Sequence, residues 1–172
     1  MMNAPVPSTL HVATPPGETL WFLNSLVRIG IASTDGNDGL CAMEHRVPCG
    51  DSPPLHSHAT EDEVFHILDG EFRFQVGDRH LRAGPGVMLL VPKGTIHSYR
   101  AESPEGGRFL TVTRGEDFER FVRAASRPAE RPDLPPHAGS PTPEAMAALT
   151  ELAAAHGIQF HGPPLAEEAS PL

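Results

Sequence analysis

Cysteine is scarce in this chain: Cys41 and Cys49 are the two thiols in 172 residues. Neither has a C-x-x-C partner, and two thiols in an acidic chain point to a reducing compartment rather than to a disulfide scaffold. Both read as structural thiols. Positive charge is also in short supply. Thirteen basic side chains face twenty-two acidic ones, for a formal net charge of −9. With no basic stripe, the surface repels phosphate backbones, which excludes nucleic acid as a partner. No apolar run approaches the roughly 20 residues of a membrane span, so no membrane partner is expected. The start, MMNAPVPSTLHVATPPG, lacks a positive n-region and an apolar h-region, so it does not read as a secretory signal and the expected location is cytoplasmic. What remains is a length that fits one domain and can bury a core without staples.

Three zones follow one another. Residues 1–16 are a Pro-rich arm. Residues 17–115 alternate apolar and polar side chains with period two. Val27, Ile29 and Ile31 alternate with Arg28, Gly30 and Ala32, and Cys41, Met43, His45 and Val47 alternate with Ala42, Glu44 and Arg46. TDGNDG (34–39), Asp69-Gly70 and Gly77-Asp78 are turns, because Gly, Asn and Asp tolerate positive φ. Short strands punctuated by Gly and Pro, with no helices between them, predict an all-β sandwich or barrel. Residues 116–172 differ. Residues 116–125 read as a short helix with Phe118, Phe121 and Val122 on one face. PAERPDLPPHAGSPTP reads as a stiff linker. Thr142-Pro143-Glu144 then starts a second helix, with Thr as N-cap and Pro at the first turn. Met146, Leu149, Leu152 and Ala153 form its apolar stripe, and Gly157 its stop. This helix is expected on the outside of the barrel, across a dimer interface or over a sheet edge.

Ten histidines are present, and their spacing is what matters. In an extended strand, His56 and His58 point to the same face about 7 Å apart, a spread from which two imidazoles can converge on one ion at about 2.1 Å. Glu63 lies beyond a bend and can supply an oxygen from the next strand. The turn at Pro92-Lys93-Gly94 can bring in His97 from far along the chain. Three neutral nitrogens and a carboxylate suit Fe(II), Mn, Ni, Cu or Zn and match Ca²⁺ or Mg²⁺ poorly. His-x-His alone also fits two solvated loop histidines. His80, His137, His156 and His161 have no partner at metal spacing. His66 has the opposite parity to Glu63, and Glu61-Asp62 reads as an acidic loop. Trp21 reads as a barrel plug or a dimer contact.

These spacings closely resemble the cupin superfamily. The pattern G-x5-H-x-H-x4-E-x6-G is met by Gly50, His56, His58, Glu63 and Gly70, and G-x5-P-x-G-x2-H-x3-N by Gly86, Pro92, Gly94 and His97. Ala101 stands where the second pattern ends in Asn, a position that is not a metal ligand. Fifteen residues separate Gly70 from Gly86, as in compact microbial members. The longer layout is similar to bacterial single-domain quercetin-dioxygenase-like cupins. The resemblance implies a double-stranded β-helix, or jelly-roll barrel, over residues 17–115, with a short helical appendage and a homodimeric assembly. It also implies that His56, His58, Glu63 and His97 bind one divalent transition metal ion, Fe(II) being favoured.

Strand parity sketches the surroundings. Phe65 and Ile67 share the face of Glu63, Tyr99 that of His97, and Met43 and His45 the opposite sheet. His45, Phe65 and Tyr99 are therefore candidate pocket residues around a small-molecule substrate. The leading expectation is a dioxygenase acting on a small oxygenated or aromatic molecule, with Glu63 as a fourth ligand or as the general base. A non-catalytic binding module, or a metal-dependent isomerase or cyclase, would use the same ligands.

Overall fold

The computed structural model describes residues 17–137, 139 and 141–167. The Pro-rich arm expected over residues 1–16 lies outside them. Twelve strands and two helices follow in the order β1 (Glu18–Phe22), β2 (Ser25–Ile31), β3 (Leu40–Val47), β4 (Pro54–His58), β5 (Glu63–Asp69), β6 (Phe72–Val76), β7 (Arg79–Ala83), β8 (Met88–Val91), β9 (His97–Ala101), β10 (Gly107–Arg114), α1 (Asp117–Ala124), β11 (Ser126–Pro128), α2 (Pro143–Ala155) and β12 (Ile158–Pro164). They form a mostly β molecule of two antiparallel sheets. One sheet runs β11-β1-β2-β3-β10-β5-β8, the other β12-β4-β9-β6-β7.

The period-two pattern explains the layering. In β10 the side chains of Phe109, Thr111 and Thr113 are buried while those of Arg108 and Arg114 are exposed. In β3, Cys41, Met43, His45 and Val47 turn inward in the same way. Two apolar clusters result. One gathers Val27, Met43, Phe118, Phe121 and Ile158, and the other Phe65, Phe72, Phe74 and Phe109. Turn chemistry fixes the register between them. Gly70 sits at φ +81°, and a Cβ there would lie 2.5 Å from the Gly106 carbonyl oxygen, so the turn that carries the chain from β5 in one sheet to β6 in the other requires glycine, and the two strands do not pair as a hairpin.

The C-terminal zone is where sequence and structure part. Both expected helices form, and Thr142 caps α2 by accepting a hydrogen bond from the Ala145 N–H at 3.2 Å. The linker after α1, however, opens with β11, which pairs with β1. Beyond it the chain crosses Trp21, whose indole N–H donates to the Asp133 carbonyl at 2.7 Å while the Arg127 guanidinium lies 4.4 Å above the ring. Trp21 thus anchors the extension. β12 then pairs with β4. Gly162, Pro163 and Pro164 break its alternation, and the ladder absorbs them through two register shifts. No described helix is long and apolar enough to cross a membrane.

Candidate metal centre

Three strands from two sheets deliver the four residues that the sequence singles out. β4 carries His56 and His58, and β9 carries His97, which stands directly opposite His56 in the ladder. Glu63 begins β5 in the facing sheet. The structure brings them together: one donor atom from each of His56, His58, Glu63 and His97 lies within 4.8 Å of all the others. Two ligands on one ion at about 2.1 Å lie roughly 3–4 Å apart, so the set stands near bonding spread.

The hydrogen bonds around the cluster prepare the imidazoles to act as ligands. His56 Nδ1 lies 2.8 Å from the Pro54 carbonyl, and His97 Nδ1 lies 3.0 Å from the Thr95 carbonyl. A carbonyl only accepts, so each Nδ1 carries the proton and each Nε2 keeps its lone pair for the cluster. His97 Nε2 is then 3.1 Å from Glu63 Oε2. Two acceptor atoms at that distance need a cation between them, either a proton or a metal ion. His58 makes the same demand differently. It is buried, and among the described residues neither of its ring nitrogens has a hydrogen-bond partner. A buried orphan of this kind is costly, and a metal bond at Nε2 removes the cost at that nitrogen. The donor set and the orphaned nitrogen therefore fit a single transition-metal ion.

Titration follows the same logic. Burial alone would raise the Glu63 carboxyl, but the neighbouring His58 and His97 outweigh it and hold it down at about 2. Burial, reinforced by the other two imidazoles, pushes His56 down to about 3. His58 is lowered by burial as well. His97 moves the other way, because its bond to Glu63 overcomes the effect of burial. These directions favour His97, over His56 and His58, as the imidazole that shares a proton with Glu63.

The cavity in front of the cluster is mostly apolar. The three candidate pocket residues line it: His45, Phe65 and Tyr99. His45 Nε2 is 3.1 Å from Thr111 Oγ1, and burial pushes its imidazole down to about 4 against the pull of Glu63 and Glu44. The Tyr99 hydroxyl donates to Asp51 at 2.8 Å. Burial, and next the charge on Asp51, raise the Tyr99 hydroxyl well above its ordinary value.

Some of the site escapes strand parity. Phe118 and Phe121 of α1, Leu149 of α2 and Ile158 and Phe160 of β12 complete the cavity wall. Ile158 stands opposite His58, and Phe160 opposite His56. Directly opposed residues share a face, so β12 extends the ligand-bearing surface with apolar side chains. The signal available beforehand was the Ile-Gln-Phe alternation of residues 158–160. Nor is α2 merely an outer cover, since its stripe reaches the cavity through Leu149. The acidic loop also needs correction. Glu61 is buried and accepts the Phe118 N–H at 2.8 Å, and Asp62 accepts the Lys93 N–H at 2.8 Å. These carboxylates pin α1 and the Pro92-Lys93-Gly94 turn beside the cluster. His161, without a partner at metal spacing, is exposed and bonds Ser57 Oγ at 2.8 Å, tying β12 to the strand of His56 and His58.

Residues 43–113 match the family model described as "Cupin domain". The chain is 29% identical over 114 residues to quercetin 2,3-dioxygenase of Bacillus subtilis (strain 168), covering 66% of this chain and 34% of that protein. It is 40% identical over 77 residues to acireductone dioxygenase of Rhodopseudomonas palustris (strain TIE-1), covering 41% of this chain and 46% of that one. The chain thus spans less than half the length of either relative. Among solved structures, one described as a predicted oxalate decarboxylase from Thermotoga maritima superposes with a TM-score of 0.56 at 20% identity, over 60% of this chain and 97% of that one. That likeness concerns the fold alone.

Proposed function

We propose, from the premise that this chain carries a cupin domain at residues 43–113, that the protein is a metal-dependent dioxygenase acting on a small oxygenated or aromatic molecule. The observation that carries the proposal is the cluster of half-buried His56 with buried His58, Glu63 and His97 opening onto an apolar cavity. Both curated relatives bear dioxygenase names, which favours oxygen chemistry over isomerisation.

A bound Fe(II) or similar ion supplies Lewis acidity toward a substrate oxygen and a redox couple toward O₂. The chain's own residues do the rest. His56 and His97 present Nε2 with the tautomer fixed by backbone carbonyls. Glu63, ionised far below neutrality, serves as the anionic ligand. So strongly acidic a carboxyl is a poor proton acceptor near pH 7, which turns the choice between its two roles toward ligation. Phe65, Phe118 and Phe160 keep bulk water from the reacting groups and favour a flat apolar body.

The test combines metal analysis with O₂ uptake on flavonols and β-dicarbonyls. The expected result is one metal per chain and metal-dependent O₂ consumption with at least one substrate class. Metal without O₂ uptake, but with conversion of an enolisable substrate, would move the reading to an isomerase or cyclase. Metal with an unaltered ligand would make the protein a binding module. Absence of metal after reconstitution with Fe(II), Ni(II) and Zn(II) would sink the reading altogether.

A further inference from the structure

His45 has chemistry that the metal cluster leaves unused. Its ring is sandwiched between Phe109, with centroids 4.9 Å apart and planes inclined at 12°, and Phe118, at 6.2 Å and 8°. Both faces are covered, so a ligand can meet this imidazole only at its edge. One edge is taken, since Nε2 lies 3.1 Å from Thr111 Oγ1. The Thr111 hydroxyl in turn donates to the Met43 carbonyl at 3.4 Å. A hydroxyl has one proton to give. Having given it to Met43, Thr111 accepts from His45, which places the ring proton on Nε2. Nδ1 therefore carries the ring's lone pair. His45 lines the same cavity as the ligand set, and Phe118 touches both His45 and His58, the latter with centroids 5.1 Å apart. A hydrogen-bond acceptor thus lines the cavity onto which the metal cluster opens, in a wall that is otherwise largely apolar.

We propose that His45 Nδ1 accepts a hydrogen bond from a ligand hydroxyl whose neighbouring oxygen is held at the His56/His58/Glu63/His97 cluster, so that the site selects molecules with vicinal oxygens, one of them protonated, on an apolar body. This rests on the reading of the cluster as a metal centre. It gives the cavity a polar discriminator besides the metal: an oxygen carrying a methyl group in place of the proton leaves Nδ1 without a donor. Thr111 is a positioning residue, because it acts only by holding the His45 tautomer.

The test uses Ni(II)-loaded protein under anaerobic conditions and two probes, catechol and its monomethyl ether guaiacol, titrated calorimetrically. The quantity read is the ratio of the two affinities in wild type relative to each variant, which cancels the intrinsic difference between the probes. His45→Phe keeps the stacked ring and removes the acceptor, and it should lower the catechol preference about five- to tenfold, the worth of one hydrogen bond. Thr111→Val should lower it in the same direction, and Thr111→Ser, which keeps the hydroxyl, should restore it. Nickel content, measured on every sample, reports the premise separately. Protein that takes up no nickel fails the metal reading. Nickel-loaded protein that binds neither probe, or whose probe ratio is unchanged in both His45→Phe and Thr111→Val, overturns the role of His45 alone.

Discussion

His58 is the residue whose surroundings most demand a partner. Among the described residues both ring nitrogens are buried without a hydrogen-bond partner, a condition costing about 1–3 kcal/mol for each group left unpaired. His58→Ala should therefore cut bound metal sharply in elemental analysis, while His80→Ala on exposed β7 should leave it unchanged. Removing the orphaned ring also relieves the metal-free protein, so the variant should lose metal without a matching loss of apo stability. His45 makes a prediction of a different kind. Its folded-state pKa of about 4 lies below the ordinary 6.5, so the unfolded chain takes up the proton first. Stability must then fall as pH drops from about 6.5 to about 4, by up to about 3 kcal/mol, and level off once the folded state is protonated too. Other groups titrate in that window, so the comparison is with His45→Phe, whose urea midpoints should show a shallower decline over the same range. Parallel wild-type and variant curves would contradict the buried neutral imidazole.

At the scale of elements, what was legible in the sequence was whatever depends on period and turn chemistry. β3, β5 and β10 alternate cleanly because each lies inside the seven-stranded sheet with one face in the core. The ligand set was legible because His-x-His sits on one strand and the spacings from it to Glu63 and His97 match the patterns of the cupin superfamily. β11 and β12 were not legible. Ser126–Pro128 is three residues long, and β12 ends in Gly-Pro-Pro, a composition that ordinarily argues against a strand. Both lie at sheet edges, where a missing N–H is tolerated. Glu61 was misread for a related reason: only the arrival of α1, whose Phe118 N–H it accepts, makes its burial worthwhile. β12 matters most, because its Ile158 and Phe160 oppose His58 and His56. Ile158 is buried, so Ile158→Ala should cost about 2–4 kcal/mol in a denaturant titration. It should also weaken metal retention against a chelator, since β4 is held from that side by β12. Unchanged chelator kinetics would mean that β4 is positioned by β9 alone.

For the whole molecule, the decisive feature is that the four donors span both sheets. β4 and β9 belong to the five-stranded sheet and β5 to the seven-stranded one, so a bound ion ties the two together. The ladders hold each sheet internally, and at the cluster Glu63 Oε2 meets His97 Nε2 at 3.1 Å and His58 Nε2 at 3.6 Å across the two sheets. Metal that binds the folded chain and not the unfolded one adds RT ln(1 + [L]/Kd), about 2.7 kcal/mol at a hundred times Kd. At about 2–4 °C per kcal/mol for a chain of this size, saturating metal should raise Tm by roughly 5–10 °C. The increment should grow with the logarithm of metal concentration and vanish on chelation. Protons compete for the same lone pairs, so it should also shrink as pH falls. His58→Ala should flatten the dependence, and His80→Ala should leave it intact. A metal-induced rise retained in full by His58→Ala would place the ion elsewhere than in the cluster that joins the two sheets.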